Sequence, residues 1–144
     1  MSFRGHYEHS LDSKDRLTVP ARFRAPLADG VVLAAGFDPC VEIWTAQTHA
    51  AFTETFLAQA NPLTPEGRMV RRFFHGHSFD EKIDSAGRVR IPKHLVEHAG
   101  LEGPCVVIGM ADHFEVWNAR RWEEQEAESS ARVSEAAAEL AQSG

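Results

Sequence analysis

The sequence predicts an α+β fold, rich in β-strand, in which a tandem repeat forms one pseudo-twofold β-barrel with helices at its periphery. Three observations predict it. The chain repeats itself at a nearly constant offset, each copy alternates apolar and polar residues over short runs, and each copy alone is too small to bury a comfortable core. Residues 11–20 (LDSKDRLTVP) match residues 83–92 (IDSAGRVRIP) at an offset of 72. Upstream, Phe3-Arg4-Gly5-His6 matches Phe74-His75-Gly76-His77 at 71, and downstream Val41-Glu42-Ile43-Trp44 matches Phe114-Glu115-Val116-Trp117 at 73. An offset that drifts by one between blocks marks a duplication with small insertions in its loops. Strands of one copy pairing with strands of the other would bury both apolar faces in one shared core.

Each copy has the same order of elements. An extended segment enters a turn at Asp-Ser-x-x, where Asp15 or Gly87 occupies the position that needs positive φ. Arg-Leu-Thr-Val-Pro and Arg-Val-Arg-Ile-Pro then alternate as half-buried strands. Pro20 and Pro92 set φ for short helices over 21–27 and 93–99, with Gly100 placed to end the second. Two strands follow in each copy, near 31–36 and 41–45 and near 105–110 and 114–117. Glu42 and Glu115 alternate with apolar neighbours, as edge or solvent-facing positions do. Thr45 is an N-cap for a helix over 46–60, with Phe52, Phe56 and Ala60 at helical spacing. Thr64-Pro65-Glu66 opens another, for which Met69, Val70 and Phe73 give the apolar face. Asn118 caps an acidic Glu- and Ala-rich stretch running toward Leu140, where helix is favoured locally but a core is not. The resulting organisation is a first repeat over 3–56, a linking helix over 57–73, a second repeat over 74–122 and an acidic helical tail over 123–144.

The formal net charge is -6, but it averages unlike segments. Residues 1–26 carry +2 and residues 68–96 carry +4, whereas 27–67 carry -5 and 97–144 carry -7. Basic charge therefore gathers around the two motif copies, and a polyanionic partner responds to that local field more than to the total. The chain has no apolar run of membrane-span length and no signal-peptide layout at residue 1, so a cytoplasmic protein without a membrane partner is expected. Cys40 and Cys105 each begin an apolar run and read as small buried hydrophobes rather than as a disulfide.

The Asp12/Arg16 and Asp84/Arg88 pairs flank a tight turn and admit two readings of equal weight. In one, Asp caps the turn and Arg pairs with it. In the other, an exposed tip presents Arg to phosphates or guanine edges while Asp holds its fork. Lys14, Arg22, Arg24, Arg90 and Lys93 lie within a few residues and add positive charge. His6, His9, His75 and His77 include an H-x-H pair, but no Cys, Asp or Glu recurs at ligand spacing in both copies, so no metal is expected. With no nucleophile elbow, P-loop or dinucleotide fingerprint, the chain is not expected to be an enzyme or to need a cofactor. Trp44 and Trp117 end strands and are expected to pack under the following helix.

These residues resemble the MraZ family from residue 3 to about 122. The likeness runs through Phe3-Arg4-Gly5, the stretch 11–24, the stretch 83–92, His98-Ala99-Gly100-Leu101 and Phe114-Glu115-Val116-Trp117. The resemblance implies two AbrB-like swapped-hairpin units and a bacterial transcriptional regulator of the division and cell-wall gene cluster. It also implies a homo-oligomeric ring that binds short direct repeats of double-stranded DNA at the nucleoid. It carries DNA contact onto Arg16 and Arg88, with Asp12 and Asp84 in support. One departure is visible, since the family's glycine before the first motif arginine is Asp15 here. Asp tolerates the left-handed conformation, but it sets a negative charge beside Arg16. The denser basic flank of Lys14, Arg22 and Arg24 makes the first copy the expected main DNA-reading hairpin, and the second is expected to be partly structural. The competing reading, motivated by net acidity and the Glu-rich tail, is a β-barrel assembly or partner-binding module that does not bind DNA.

Overall fold

The structure, a computed structural model, describes residues 2–143 as a mixed α+β fold. The strands are β1 (His6–Ser10), β2 (Arg16–Thr18), β3 (Val31–Ala35), β4 (Cys40–Thr45), β5 (Ser78–Glu81), β6 (Arg88–Arg90), β7 (Pro104–Gly109) and β8 (His113–Asn118). The helices are α1 (Ala21–Arg24), α2 (Ala46–Thr55), α3 (Pro65–Gly76), α4 (Lys93–Ala99), α5 (Ala119–Ser130) and α6 (Val133–Ser143). Three-ten turns over Ala25–Leu27 and Leu57–Gln59 continue α1 and follow α2. No helix among the described residues is long and apolar enough to cross a membrane.

Six strands form one antiparallel sheet in the order β1-β7-β8-β4-β3-β5, and β2 pairs with β6 in a separate antiparallel ladder. The order is reciprocal. β1 of the first copy lies beside β7 of the second, and β5 of the second lies beside β3 of the first. The two copies meet at the sheet's centre, where β4 pairs with β8. Register fixes the symmetry: Glu42 faces Glu115 and Leu17 faces Val89, each pair being equivalent positions of the duplication. A pseudo-twofold axis therefore passes through both pairs, and the interleaving expected from the sequence is present. The sheet keeps β1 and β5 as its edges, so strand pairing does not by itself close a barrel.

Alternation gives the sheet two faces. Its inner face presents Val31, Leu33, Val41, Ile43, Val107, Phe114 and Val116 to Leu17, Val19, Val89 and Ile91 of the ladder, in one buried cluster with Phe23 and Leu95. Its outer face carries Trp44 and Trp117, each packed under the helix that follows its strand. The Trp44 and Phe52 ring centroids are 5.0 Å apart, and those of Trp117 and Trp122 are 5.5 Å apart. Helix ends follow local chemistry. Thr45 Oγ1 accepts from the Thr48 amide at 2.9 Å, Thr64 Oγ1 from the Gly67 amide at 3.0 Å, and Asn118 Oδ1 from the Arg120 amide at 2.9 Å. Gly100 ends α4 in the left-handed conformation at φ 61°. Cys40 and Cys105 are both buried and unpaired by disulfide, and burial pushes both thiols up.

Three expectations are corrected. Glu42 and Glu115 are neither edge nor fully solvent-facing: they are half-buried on the two central strands. Burial raises the Glu42 carboxyl above its ordinary range, and the facing Glu115 adds to the shift. Of the expected apolar face of α3, Phe73 packs partly buried against the core, but Met69 and Val70 are exposed and the buried residues are Gly67 and Phe74, because the helix docks on Phe52 and His49 of α2. Phe3 and Phe74, matched in sequence, occupy different places: Phe3 lies in the core against Phe23 and Phe114, and Phe74 sits in a helix on the outer face. The tail is two helices, broken at Ala131–Arg132.

Candidate nucleic-acid interface

Both Asp-x-x-x-Arg turns are built by the same five bonds. Asp12 Oδ1 accepts the amides of Lys14 and Arg16 at 2.9 Å each, and its Oδ2 accepts Arg16 Nε at 2.8 Å. The Asp15 amide donates to the Asp12 carbonyl at 3.1 Å, and the Asp12 amide to the Arg16 carbonyl at 3.0 Å. In the second copy Asp84 Oδ1 accepts from the Ala86 amide at 2.9 Å and the Arg88 amide at 2.8 Å, and Oδ2 accepts Arg88 Nε at 2.8 Å. The residue before each arginine takes positive φ, 58° at Asp15 and 77° at Gly87. The Arg16 amide above all, then the Lys14 amide and the Arg16 guanidinium, hold the Asp12 carboxyl below the usual carboxylate range. The Arg88 amide does the same first for Asp84.

The two readings of the motif are thus one arrangement. The carboxylate caps the turn with one oxygen and grips Nε with the other. Because the grip is on Nε, the outer edge of each guanidinium keeps its two amino groups free of hydrogen bonds among the described residues. A fork held this way has already lost the rotamer freedom that a bidentate contact to phosphate or guanine would otherwise cost.

The β2–β6 ladder brings the forks together. Arg16 stands opposite Arg90 and Thr18 opposite Arg88. With Leu17 and Val89 directed into the core, these four polar residues share the outward face of one two-stranded ribbon, Thr18 and Arg90 exposed and the two motif arginines partly so. Lys14 is exposed at the first tip, and Arg22, exposed on α1, donates from Nη1 to Tyr7 Oη at 3.2 Å. Arg24 is used differently. It is half-buried, its Nε donates to the Val19 carbonyl at 2.9 Å, and its guanidinium lies over Gly87, where any Cβ would collide with it. Backbone bonds tie the copies reciprocally beside it, Val19 amide to Gly87 carbonyl and Ile91 amide to Asp15 carbonyl, both at 2.9 Å. Lys93 opens α4 at a cleft that it borders with Val96 of the same helix and with Asp12 and Asp15 of the first tip.

Sequence reasoning missed Thr18 as part of the ribbon face and Arg24 as a roof over the other copy's turn. Alternation within Arg-Leu-Thr placed Thr18 on the side of Arg16, so the first was available. The second depends on pairing between copies and had no local signal. Of the histidines, His75 lies in α3 and His77 caps it, so the H-x-H pair is not a strand pair. His77 instead stacks on His94, with Nδ1 and Nε2 2.8 Å apart.

A family model described as "MraZ protein, putative antitoxin-like" matches twice, over residues 2–73 and 74–143. The chain belongs to the MraZ family. Each match contains one Asp-x-x-x-Arg turn, so the duplication belongs to the family pattern. A protein of Ligilactobacillus salivarius named "Transcriptional regulator MraZ" is 43% identical over 122 residues, 84% of each chain. Relatives with the same name from Lactiplantibacillus plantarum and Alkaliphilus oremlandii are 38% identical over 141 residues and 33% identical over 142. The first alignment covers 96% of this chain and 97% of the relative, and the second 99% of both, so in these relatives the likeness extends over the tail region as well.

Proposed function

We infer that this MraZ-family protein is a transcriptional regulator that binds double-stranded DNA through the β2–β6 ribbon. The observation that carries the reading is the ribbon itself: Arg16, Arg88 and Arg90 converge on one face, two of them with their forks oriented by Asp12 and Asp84. A two-stranded ribbon fits the B-DNA major groove, where an arginine reaches guanine O6 and N7 together. Lys14 and Arg22 flank that face and neutralise phosphates, while Arg24 acts mainly by holding the tips in register. The acidic segments lie in other elements, which reconciles a net charge of -6 with an anionic ligand.

One ribbon offers few phosphate contacts, so a single chain binds weakly and loses affinity with salt. The reading therefore extends to a homo-oligomeric ring that sets several ribbons on short direct repeats and gains by effective concentration. Exposed Phe37, Phe56, Leu63 and Met69 supply apolar surface for self-association. Following the family resemblance, the target is the promoter region of the division and cell-wall gene cluster, and the activity is repression in the cytoplasm at the nucleoid. Binding of wild type, Arg16→Ala and Arg88→Ala to one-repeat and multi-repeat DNA at fixed salt tests it. Each lost bidentate contact is expected to cost about 1–3 kcal/mol, with the deficit growing on multi-repeat DNA. Affinities for repeat DNA no better than for random duplex would replace this reading with a partner-binding module.

A further inference from the structure

The sheet's outer face carries a second constellation, on the side away from the arginine ribbon. Glu42 and Glu115 face each other across the central β4–β8 pair, both half-buried. Like charges directly opposite on neighbouring strands repel, and no Lys or Arg among the described residues pairs with either. Each carboxylate is fixed by an indole: Trp44 Nε1 donates to Glu42 Oε1 at 3.2 Å, and Trp117 Nε1 to Glu115 Oε1 at 2.8 Å. Those bonds leave each Oε2 as the remaining donor atom.

His113 completes the group. It is 9% exposed, and its ring stacks on Trp44 with centroids 4.1 Å apart. Asp112 Oδ1 lies 2.7 Å from Nδ1, which places the proton of a neutral imidazole there and the lone pair on Nε2. That Nε2 is buried without a hydrogen-bond partner, 4.0 Å from Glu115 Oε2. A buried acceptor left unpaired beside two carboxylates is the arrangement a cation would resolve.

We propose that Glu42, His113 and Glu115 bind one divalent transition-metal ion, Zn²⁺ by preference, on the pseudo-twofold axis between the two copies. One atom of each residue lies within 4.8 Å of the others. Bonds of about 2.0–2.2 Å require tetrahedral ligands about 3.3–3.5 Å apart, so the glutamates close by roughly 1 Å and water takes the fourth position. One imidazole and two carboxylates suit zinc or manganese, whereas magnesium and calcium favour all-oxygen shells. Two carboxylates also cancel the charge of a dication. The ion would clamp β4 of one copy to β8 of the other, and its binding would add to folding because the unfolded chain has no such site.

Chelator-dialysed full-length protein is titrated with Zn²⁺ by calorimetry and by thermal melting. One ion per chain and a rise in Tm of roughly 5–10 °C at a hundredfold excess over Kd are expected. The Glu42→Gln/Glu115→Gln variant keeps side-chain volume and an acceptor for each tryptophan, and should lose the ion and the rise. Should it fail to fold, Glu115→Gln alone carries the same test. His94→Ala, which breaks the His77–His94 pair elsewhere in the fold, should retain both. No uptake by wild type would overturn the proposal. So would uptake unchanged by the Gln substitutions, or uptake abolished in His94→Ala.

Discussion

The two hairpin tips share a backbone and an Asp–Arg grip but differ in what surrounds them. Gly87 sits beneath the Arg24 guanidinium, with positive φ and no room for a side chain. Asp15, its counterpart, borders a cleft shared with Lys93 and Val96. Val96, which corresponds to Arg24 at the repeat offset, is buried in the core cluster and carries no guanidinium to lie over Asp15. The family glycine is therefore required twice over at Gly87 and only for its φ at position 15, where Asp meets the requirement. The difference teaches that the motif's geometry is set by its aspartate and one left-handed residue, while the flanks are free to diverge.

Core substitutions beneath the tips break the comparison hardest. Leu17 and Val89 face each other on the axis, both buried. Leu17→Ala is expected to destabilise by about 2–5 kcal/mol in denaturant unfolding, and Val89→Ala by less because fewer methyl groups are lost. An equal loss from both would mean that the ladder relaxes as one unit.

The turn residues come next. Gly87→Ala meets both a strained φ and the Arg24 roof, and should cost about 1–3 kcal/mol. Asp15→Gly should change stability by less than about 1 kcal/mol and strengthen DNA binding by removing a negative charge beside Arg16. If Gly87→Ala were as mild as Asp15→Gly, the Arg24 guanidinium would not constrain the second tip.

A smaller effect concerns pH. The Asp12 and Asp84 carboxyls are held below the usual carboxylate range, so their caps are fully in place above the unfolded value and are lost as pH falls through the folded one. Carboxyl titrations followed by NMR should give two depressed midpoints, and an ordinary value for Asp12 alone would separate the copies. The smallest effect is chemical. Cys40, buried with its thiol held protonated, should react with thiol reagents only as fast as the protein opens.

Local features were legible in the sequence, and so was the interleaving of the two copies, but not which strands pair or in what register. The Asp turns, the caps at Thr45, Thr64 and Asn118, the stop at Gly100 and the tryptophans under their helices all depend on residues close in the chain. The Asp–Arg geometry of the candidate site was legible for the same reason. The ribbon face required knowing that β2 lies antiparallel to β6, which brings Arg90 opposite Arg16 across a separation of 74 residues. Periodicity marked α3 as amphipathic, but only the docked surface of α2 selects Phe74 over Met69. Alternation likewise put Glu42 and Glu115 on the face opposite the core, yet not at the centre of the sheet and not facing each other. His113 drew no attention because Glu42 and Trp44, which complete its surroundings, come from another strand.

The reciprocal placement of β1 and β5 bears on how the chain can be divided. A cut between the copies, even at the family model's own boundary at residues 73 and 74, leaves each fragment with a sheet edge that only the other can supply. Within its own residues the first half lacks the partner of β1 and the second half the partner of β5. Expressed separately, residues 2–73 and 74–143 should be poorly folded in isolation and reassemble on mixing, as complementary fragments of one fold.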